Sequence, residues 1–248
     1  MENILKQYPV FILAAGVGSR LKELTVTKPK AMVPIAGVPM IDRLIRDLNR
    51  QGFFHFVINV HHHADLLEHH IRQAFHNLDI SFSSERKTLL DTGGALIHAK
   101  HLLENNDFLV HNVDIMLPVE LKTMLQCHKE KKALFTLAVS NRTSSRKLLF
   151  TPENHLCGWK NDSTGEIIKA KNYTENHIEL SYSGVQWISK KYFDMEQQTG
   201  KFSIVLSWLN LCHLYPIVGF RHNQKGWFDM GTIEKIKEVE HYLQNNNN

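Results

Sequence analysis

The first apolar run, Val10-Phe11-Ile12-Leu13-Ala14-Ala15, is continuous rather than alternating. That pattern predicts a strand buried on both faces, as in a parallel sheet. Met40 to Arg50 then repeats at helical spacing, with Ile41, Leu44, Ile45 and Leu48 on one face. Strands are expected at Phe56–Val60, Ile80–Ser83, Phe108–His111 and Ala133–Val139. Helices are expected at Ala64–Phe75, Thr92–Leu103 and Val119–Lys129. Such alternation predicts an α/β fold with a parallel sheet, right-handed crossovers and helices on both faces.

The rhythm changes after Ser140. Leu148–Thr151 and His155–Trp159 flank Pro152-Glu153-Asn154 and read as a hairpin. Tyr182–Ile188 and Tyr215–Phe220 read as strands, Phe202–Cys212 and Ile233–Leu243 as helices, together a small α+β C-terminal flank. No Pro/Gly/Ser-rich stretch divides the chain. One domain is therefore expected over 1–244, in halves 8–140 and 141–244, with a disordered asparagine tail at 245–248.

Composition narrows the function classes. The chain has 248 residues, 43% hydrophobic and 22% charged, which suits a soluble globular protein. The formal charge of +4 would serve a phosphate cleft or a nucleic acid, but the basic residues are spread out, which argues against nucleic acid. Cys127, Cys157 and Cys212 lie far apart, lack metal or redox spacing and fit a reducing cytosol. No signal peptide or membrane-length apolar run is visible, so a cytoplasmic protein without membrane insertion is expected. His61-His62-His63 invites a metal reading, but neighbours on an extended segment point to opposite sides and chelate poorly.

The chemistry begins at Ala15-Gly16-Val17-Gly18-Ser19-Arg20, beyond the carboxyl end of the first strand, where open α/β sheets bind ligands. Glycines there let main-chain N–H groups converge on phosphate oxygens. The dinucleotide fingerprint needs a glycine where Leu21 stands, and the P-loop Gly-Lys-Ser/Thr is missing. Arg20 and Lys30 supply fixed cations for a triphosphate and a leaving pyrophosphate.

The run Leu13-Ala14-Ala15-Gly16-x-Gly18-Ser19-Arg20-Leu21, with Leu24-Thr25 and Lys28-Pro29-Lys30, resembles the signature of the sugar-phosphate nucleotidyltransferase family. Glu23 stands where the family usually has proline. The resemblance covers Phe11 to Glu240 and implies a Rossmann-like, mixed, mostly parallel sheet: the nucleotide-diphospho-sugar transferase fold. It makes 8–140 the nucleotide-binding half and 141–244 the sugar-binding half. It further implies that Leu13, Ala14, Ala15, Gly16, Gly18 and Ser19 bind nucleotide, with Arg20 and Lys30 catalytic.

Val110-His111-Asn112-Val113-Asp114 looks like the family's Asn-Gly-Asp, with Val113 for glycine, and Trp227-Phe228-Asp229-Met230-Gly231-Thr232 like its Trp-x-Asp-x-Gly-Thr. The resemblance makes Asp114 and Asp229 ligands of a catalytic Mg²⁺ and puts Asn112 against the nucleotide. Gly93 and Gly94 would let the main chain approach the base, with Glu85 reading it. Ser183 and Gly184 resemble the strand beneath the sugar, and Lys160, Lys169 and Lys171 are candidates for its phosphate. The expected substrates are a nucleoside triphosphate and a sugar 1-phosphate. The likeness is greatest to N-acetylmuramate 1-phosphate uridylyltransferases, with mannose or heptose guanylyl transfer as the alternative. A catalytically silent nucleotide sensor is the rival of another class.

Overall fold

The computed structural model describes residues 3–246 and divides into two compact units interleaved in sequence. The first comprises 1–89, 111–118 and 226–248, and the second 90–110 and 119–225.

In the first unit the apolar run forms the strand Val10–Leu13, paired in parallel with His55–Val60 in the register Val10↔Phe56 to Ile12↔Ile58. His55–Val60 pairs in parallel with Asp79–Ser84. Phe11, Ile12, Phe56 and Ile58 are all buried, as a strand covered on both faces requires. The helix Met40–Gln51 turns Ile41, Leu44, Ile45 and Leu48 into this core and ends at Gly52, whose φ of 111° supplies the left-handed residue that closes a helix. The helix Ala64–Ala74 follows the second strand. Two short ladders complete the unit. Pro34–Ile35 pairs with Val38–Pro39, and Ile115–Met116 pairs with Phe228–Asp229, both antiparallel.

The second unit is mixed. Phe135–Ser140 pairs in parallel with Ile217–Arg221 but antiparallel with the long strand Ile178–Ile188. The expected hairpin is present as Arg146–Phe150 against Leu156–Asn161, extended by Glu166–Lys169. Trp187 and Trp208 are buried, and the indole N–H of Trp208 donates to the Gln186 side chain at 3.1 Å. The helix expected over 92–103 is two pieces, Asp91–His98 and Lys100–Leu103, because Ala99 (ψ 3°) turns the backbone between them. The last helix runs over Ile233–Asn246, so the first half of the asparagine run is helical; residues 247 and 248 lie outside the described residues. Among the described residues no helix is long and apolar enough to cross a membrane.

Candidate active site

The glycine loop is held from behind. Asn59 is the one polar side chain pointing from the run Phe56–Val60, and it is 3% exposed. Its Oδ1 accepts the main-chain N–H groups of Ala14 (2.6 Å) and Ala15 (3.0 Å), and its Nδ2 donates to the buried carboxylate of Glu85 at 2.7 Å. Glu85, expected to read the base, thus has a bracing contact to the residue that pins the loop. Gly16 and Val17 are exposed. Gly18 has φ 69°, and an added Cβ would lie 3.0 Å from the Lys30 Cβ and the Thr25 methyl, so glycine is needed for both conformation and packing.

The loop packs on the cation that follows it. Lys30 opens the short 3₁₀ turn Lys30–Met32, and its ammonium group forms an ion pair with the Asp114 carboxylate, each side chain mostly buried. Val113, the departure from the family's glycine, keeps out of the left-handed region and buries its side chain (3% exposed). Its N–H donates to the Leu13 carbonyl at 3.2 Å. The valine therefore packs inward. Glu23, the other departure, is exposed on a short 3₁₀ turn, Ser19–Thr25.

Asp229 arrives from the far end of the chain. In the short ladder Asp229 lies opposite Ile115 and Phe228 opposite Met116, and the Met230 N–H donates to the Asp114 carbonyl at 2.7 Å. The two aspartates expected to act together are thus fixed on one ladder end. Asp229 Oδ1 accepts from the Gly231 N–H (2.9 Å) and Oδ2 from Lys235 (2.9 Å). Burial pushes this carboxyl up, but Lys235, the Gly231 amide and the nearby Arg20 guanidinium outweigh it and hold the group below its ordinary value. A Cβ on Gly231 would lie 2.7 Å from both Arg20 Nη2 and Asp229 Oδ1, which shows how closely the guanidinium sits.

Arg20, Lys30, Asp114 and Asp229 therefore converge beside the glycine loop within one compact unit. Asn59 and Lys235 were missed from sequence. A lone amide in an apolar strand was the available signal for Asn59; Lys235 had none beyond following the Asp229 motif. Asn112 is partly exposed, and its carbonyl accepts from Nδ1 of the buried His111 at 2.8 Å. Among the described residues no group of three or more His, Cys, Asp or Glu side chains is arranged to hold a metal, the histidine triplet included. His61 and His63 instead hydrogen-bond the carbonyls of Glu85 and Val26.

In the second unit, Gly93 and Gly94 have a packing reason to be glycine. Their N–H groups donate to the Phe202 carbonyl at 2.9 and 3.2 Å. Added Cβ atoms would meet the Phe202 ring at 2.3 Å and the Gly200 carbonyl oxygen at 2.1 Å. Gly184 has φ 84° and sits in a bulge, since register jumps from Tyr182↔Val139 to Gln186↔Leu137. Ser183, beside it, is buried and shares a 2.7 Å hydrogen bond with His222 Nε2. His222 Nδ1 donates to the Asn223 carbonyl at 2.7 Å. Burial, with Arg142 nearby, holds this imidazole below its ordinary value. The neutral ring then accepts the Ser183 O–H at Nε2. Of the lysine candidates, Lys160 pairs with Glu179 and Asp162, Lys169 pairs with Glu175, and Lys171 is exposed.

A convergence of this kind invites comparison with known proteins. The model of the family described as Nucleotidyl transferase matches residues 10–148, more than half of the chain. The chain belongs to the nucleotidyl transferase family. Over 238 residues it is 27% identical to a D-glycero-alpha-D-manno-heptose 1-phosphate guanylyltransferase of Aneurinibacillus thermoaerophilus, covering 94% of this chain and 98% of that one. Over 106 residues it is 41% identical to an N-acetylmuramate alpha-1-phosphate uridylyltransferase of Caulobacter vibrioides, covering 42% of this chain and 44% of that one. The crystal structure of HddC from Yersinia pseudotuberculosis superposes with a TM-score of 0.76 at 23% identity, covering 95% of this chain and 99% of that one. The fold of this family member is thus the nucleotide-diphospho-sugar transferase fold: a mixed, mostly parallel sheet with helices.

Proposed function

We propose that this nucleotidyl transferase joins a nucleoside triphosphate to a sugar 1-phosphate and releases pyrophosphate. The observation that carries the reading is the meeting of Asp114 and Asp229 on one ladder end, with Lys30 and Arg20 beside them at the glycine loop. In this reaction an oxygen of the sugar 1-phosphate attacks the α-phosphorus. The bond from that phosphorus to the bridging oxygen breaks, and pyrophosphate leaves with the electron pair. No general base is needed, because a phosphate dianion is already nucleophilic at neutral pH. Arg20 and Lys30 offset charge on the leaving group. Asn59 keeps the loop in shape by occupying the amides of Ala14 and Ala15.

Two ionised carboxylates are hard oxygen donors, and Mg²⁺ takes one or two such groups alongside substrate phosphates. Asp114 and Asp229 fit that ion and would hold it. When bound it would neutralise two phosphate groups that otherwise repel each other. We assign the first substrate pair as UTP with N-acetylmuramate 1-phosphate, supported by 41% identity to the uridylyltransferase over 106 residues, 44% of that relative. Guanylyl transfer to a heptose 1-phosphate is the second reading, favoured by a relative matched along nearly its whole length. The three free cysteines suit a cytoplasmic enzyme of nucleotide sugar synthesis for the cell wall or surface polysaccharide.

The test is pyrophosphate release with Mg²⁺ across UTP, GTP, CTP, dTTP and ATP against several sugar 1-phosphates. Release with one pair, lost in Asp114→Ala and Lys30→Ala, is the expected result. Triphosphate binding with no release across the whole grid would replace the reading with a nucleotide sensor.

A further inference from the structure

Each of the two aspartates in the first unit carries a lysine, and the two lysines are held very differently. The Lys30 ammonium group lies on Oδ2 of Asp114; its side chain is 13% exposed, and its stem lies close against Gly18. Lys235 donates to Oδ2 of Asp229 at 2.9 Å, but its side chain is 41% exposed. Lys30 is built into the floor of the site, whereas Lys235 reaches it from a solvent-facing stem.

The two oxygens of Asp229 also have unlike partners. Oδ1 accepts the main-chain N–H of Gly231 at 2.9 Å, and Oδ2 accepts from Lys235. Backbone fixes the first contact, while the second ends a flexible four-carbon chain. Lys235 moreover stands at the electrostatically unfavourable end of its helix. It is the third residue of Ile233–Asn246, and its N–H donates to the Thr232 hydroxyl at 3.4 Å. A helix N-terminus carries partial positive charge, which disfavours a lysine there unless an acid offsets it. Asp229 is that acid. Arg20, Lys30 and Lys235 thereby set three cations against Asp114 and Asp229, all five within one compact unit. A site with that balance attracts a triphosphate and repels a bare divalent ion.

We infer that Lys235 is a displaceable counter-ion of Asp229: a divalent cation taken up by that carboxylate must push the ammonium group off Oδ2. Lys235 therefore weakens binding of the ion by itself and makes its uptake depend on the triphosphate. The inference rests on the proposed transferase reading, in which Asp114 and Asp229 hold the cation, and it makes Lys235 a positioning residue that acts through Asp229. It also fixes a sign. Losing a purely structural partner would leave Asp229 less well placed and the cation more weakly bound. Losing a displaceable counter-ion leaves the cation more tightly bound.

The experiment titrates the full chain with Mn²⁺ alone, without nucleotide, and follows the free ion by electron paramagnetic resonance. Wild type is compared with Lys235→Met, Lys235→Arg, Asp229→Asn and the double variant Asp229→Asn/Lys235→Met. Lys235→Met is expected to bind Mn²⁺ at least about tenfold more tightly, the scale of one close charge acting on a doubly charged ion. Lys235→Arg should restore weak binding, and methionine should bring no gain once Asp229 is asparagine. Equal affinity in wild type and Lys235→Met, weaker binding in Lys235→Met, or no binding by either overturns the inference. Pyrophosphate release by the same preparations separates the two levels. Tightened Mn²⁺ binding with no release on any substrate pair keeps the counter-ion and removes the transferase reading, whereas release with unchanged Mn²⁺ affinity does the reverse.

Discussion

The main-chain N–H of Met230 donates to the carbonyl oxygen of Asp114 at 2.7 Å, and this bond ties the last acidic motif of the chain to the middle one. Together with the pairing of Asp229 opposite Ile115, it fixes both carboxylates on rigid backbone rather than on independent loops. Rigid placement matters because a site built to stabilise developing charge loses its advantage when its groups must reorganise.

Neutralising either carboxylate should therefore abolish chemistry while sparing the fold. Asp114→Asn and Asp229→Asn are expected to lower turnover by about a hundredfold or more, the scale of losing a strong electrostatic contact. Lys235→Met, which removes a partner of Asp229 without touching the ladder, should cost far less. Pyrophosphate release and thermal melts of the three variants check this. Turnover near wild type in either asparagine variant would remove the acidic pair from the mechanism.

Asn59 should matter to stability and activity alike. Asn59→Leu strips the Ala14 and Ala15 amides and the Glu85 carboxylate of a buried partner. Leaving buried polar groups unsatisfied costs about 1–3 kcal/mol each, so a loss of several kcal/mol in denaturant unfolding is expected. Triphosphate affinity should fall in parallel, because the loop above loses its anchor. A stable variant with normal affinity would show that the loop holds itself.

Alanine in an exposed helix usually stabilises relative to glycine by about 1 kcal/mol. Gly94→Ala should do the opposite, since its Cβ would meet a main-chain carbonyl oxygen, that of Gly200, at 2.1 Å. The atoms nearest the added Cβ of Gly93→Ala are those of the Phe202 ring, so Phe202→Leu should partly rescue it and leave Gly94→Ala unrelieved. A double-mutant cycle in urea unfolding reads the coupling directly. Additive effects for Gly93→Ala and Phe202→Leu would deny the contact.

Burial holds the His111 imidazole down at about 4, against the hydrogen bond to the Asn112 carbonyl and the pull of Asp114. The unfolded chain, with an ordinary histidine near 6.5, then binds more protons than the folded one between those values. Stability from this group is complete above about pH 6.5 and is lost as pH falls toward 4. On the order of 2 kcal/mol should be gone at pH 5. His111→Gln, compared with wild type by urea unfolding at pH 7 and 5, is expected to flatten that part of the pH dependence. An equally steep decline in the variant would point to other groups.

Much of this was legible in the chain. The buried strand Val10–Leu13 and the helix Met40–Gln51 announce themselves because unbroken apolarity and 3.6-residue spacing are local properties. The glycine loop with Arg20 and Lys30 was legible for the same reason: phosphate chemistry there uses residues close in sequence. The short ladder of Ile115–Met116 with Phe228–Asp229 was not, since two-residue strands carry no period to read. Nor was the break at Ala99, where nothing in the residue type demands a turn.

By itself the sequence determined the order of the longer strands and helices, the chemical identity of the cations and acids, and the glycine positions where backbone must bend. Tertiary structure decided what those residues face. It put Asp229 beside Asp114, set Asn59 to clasp the loop, buried Val113, and gave Gly93 and Gly94 to Phe202 and Gly200. The physical reason is range. Dihedral preference and hydrophobic period act over a few residues. Pairing of distant segments depends on which surfaces remain to be buried and which polar groups still need partners once the local elements exist.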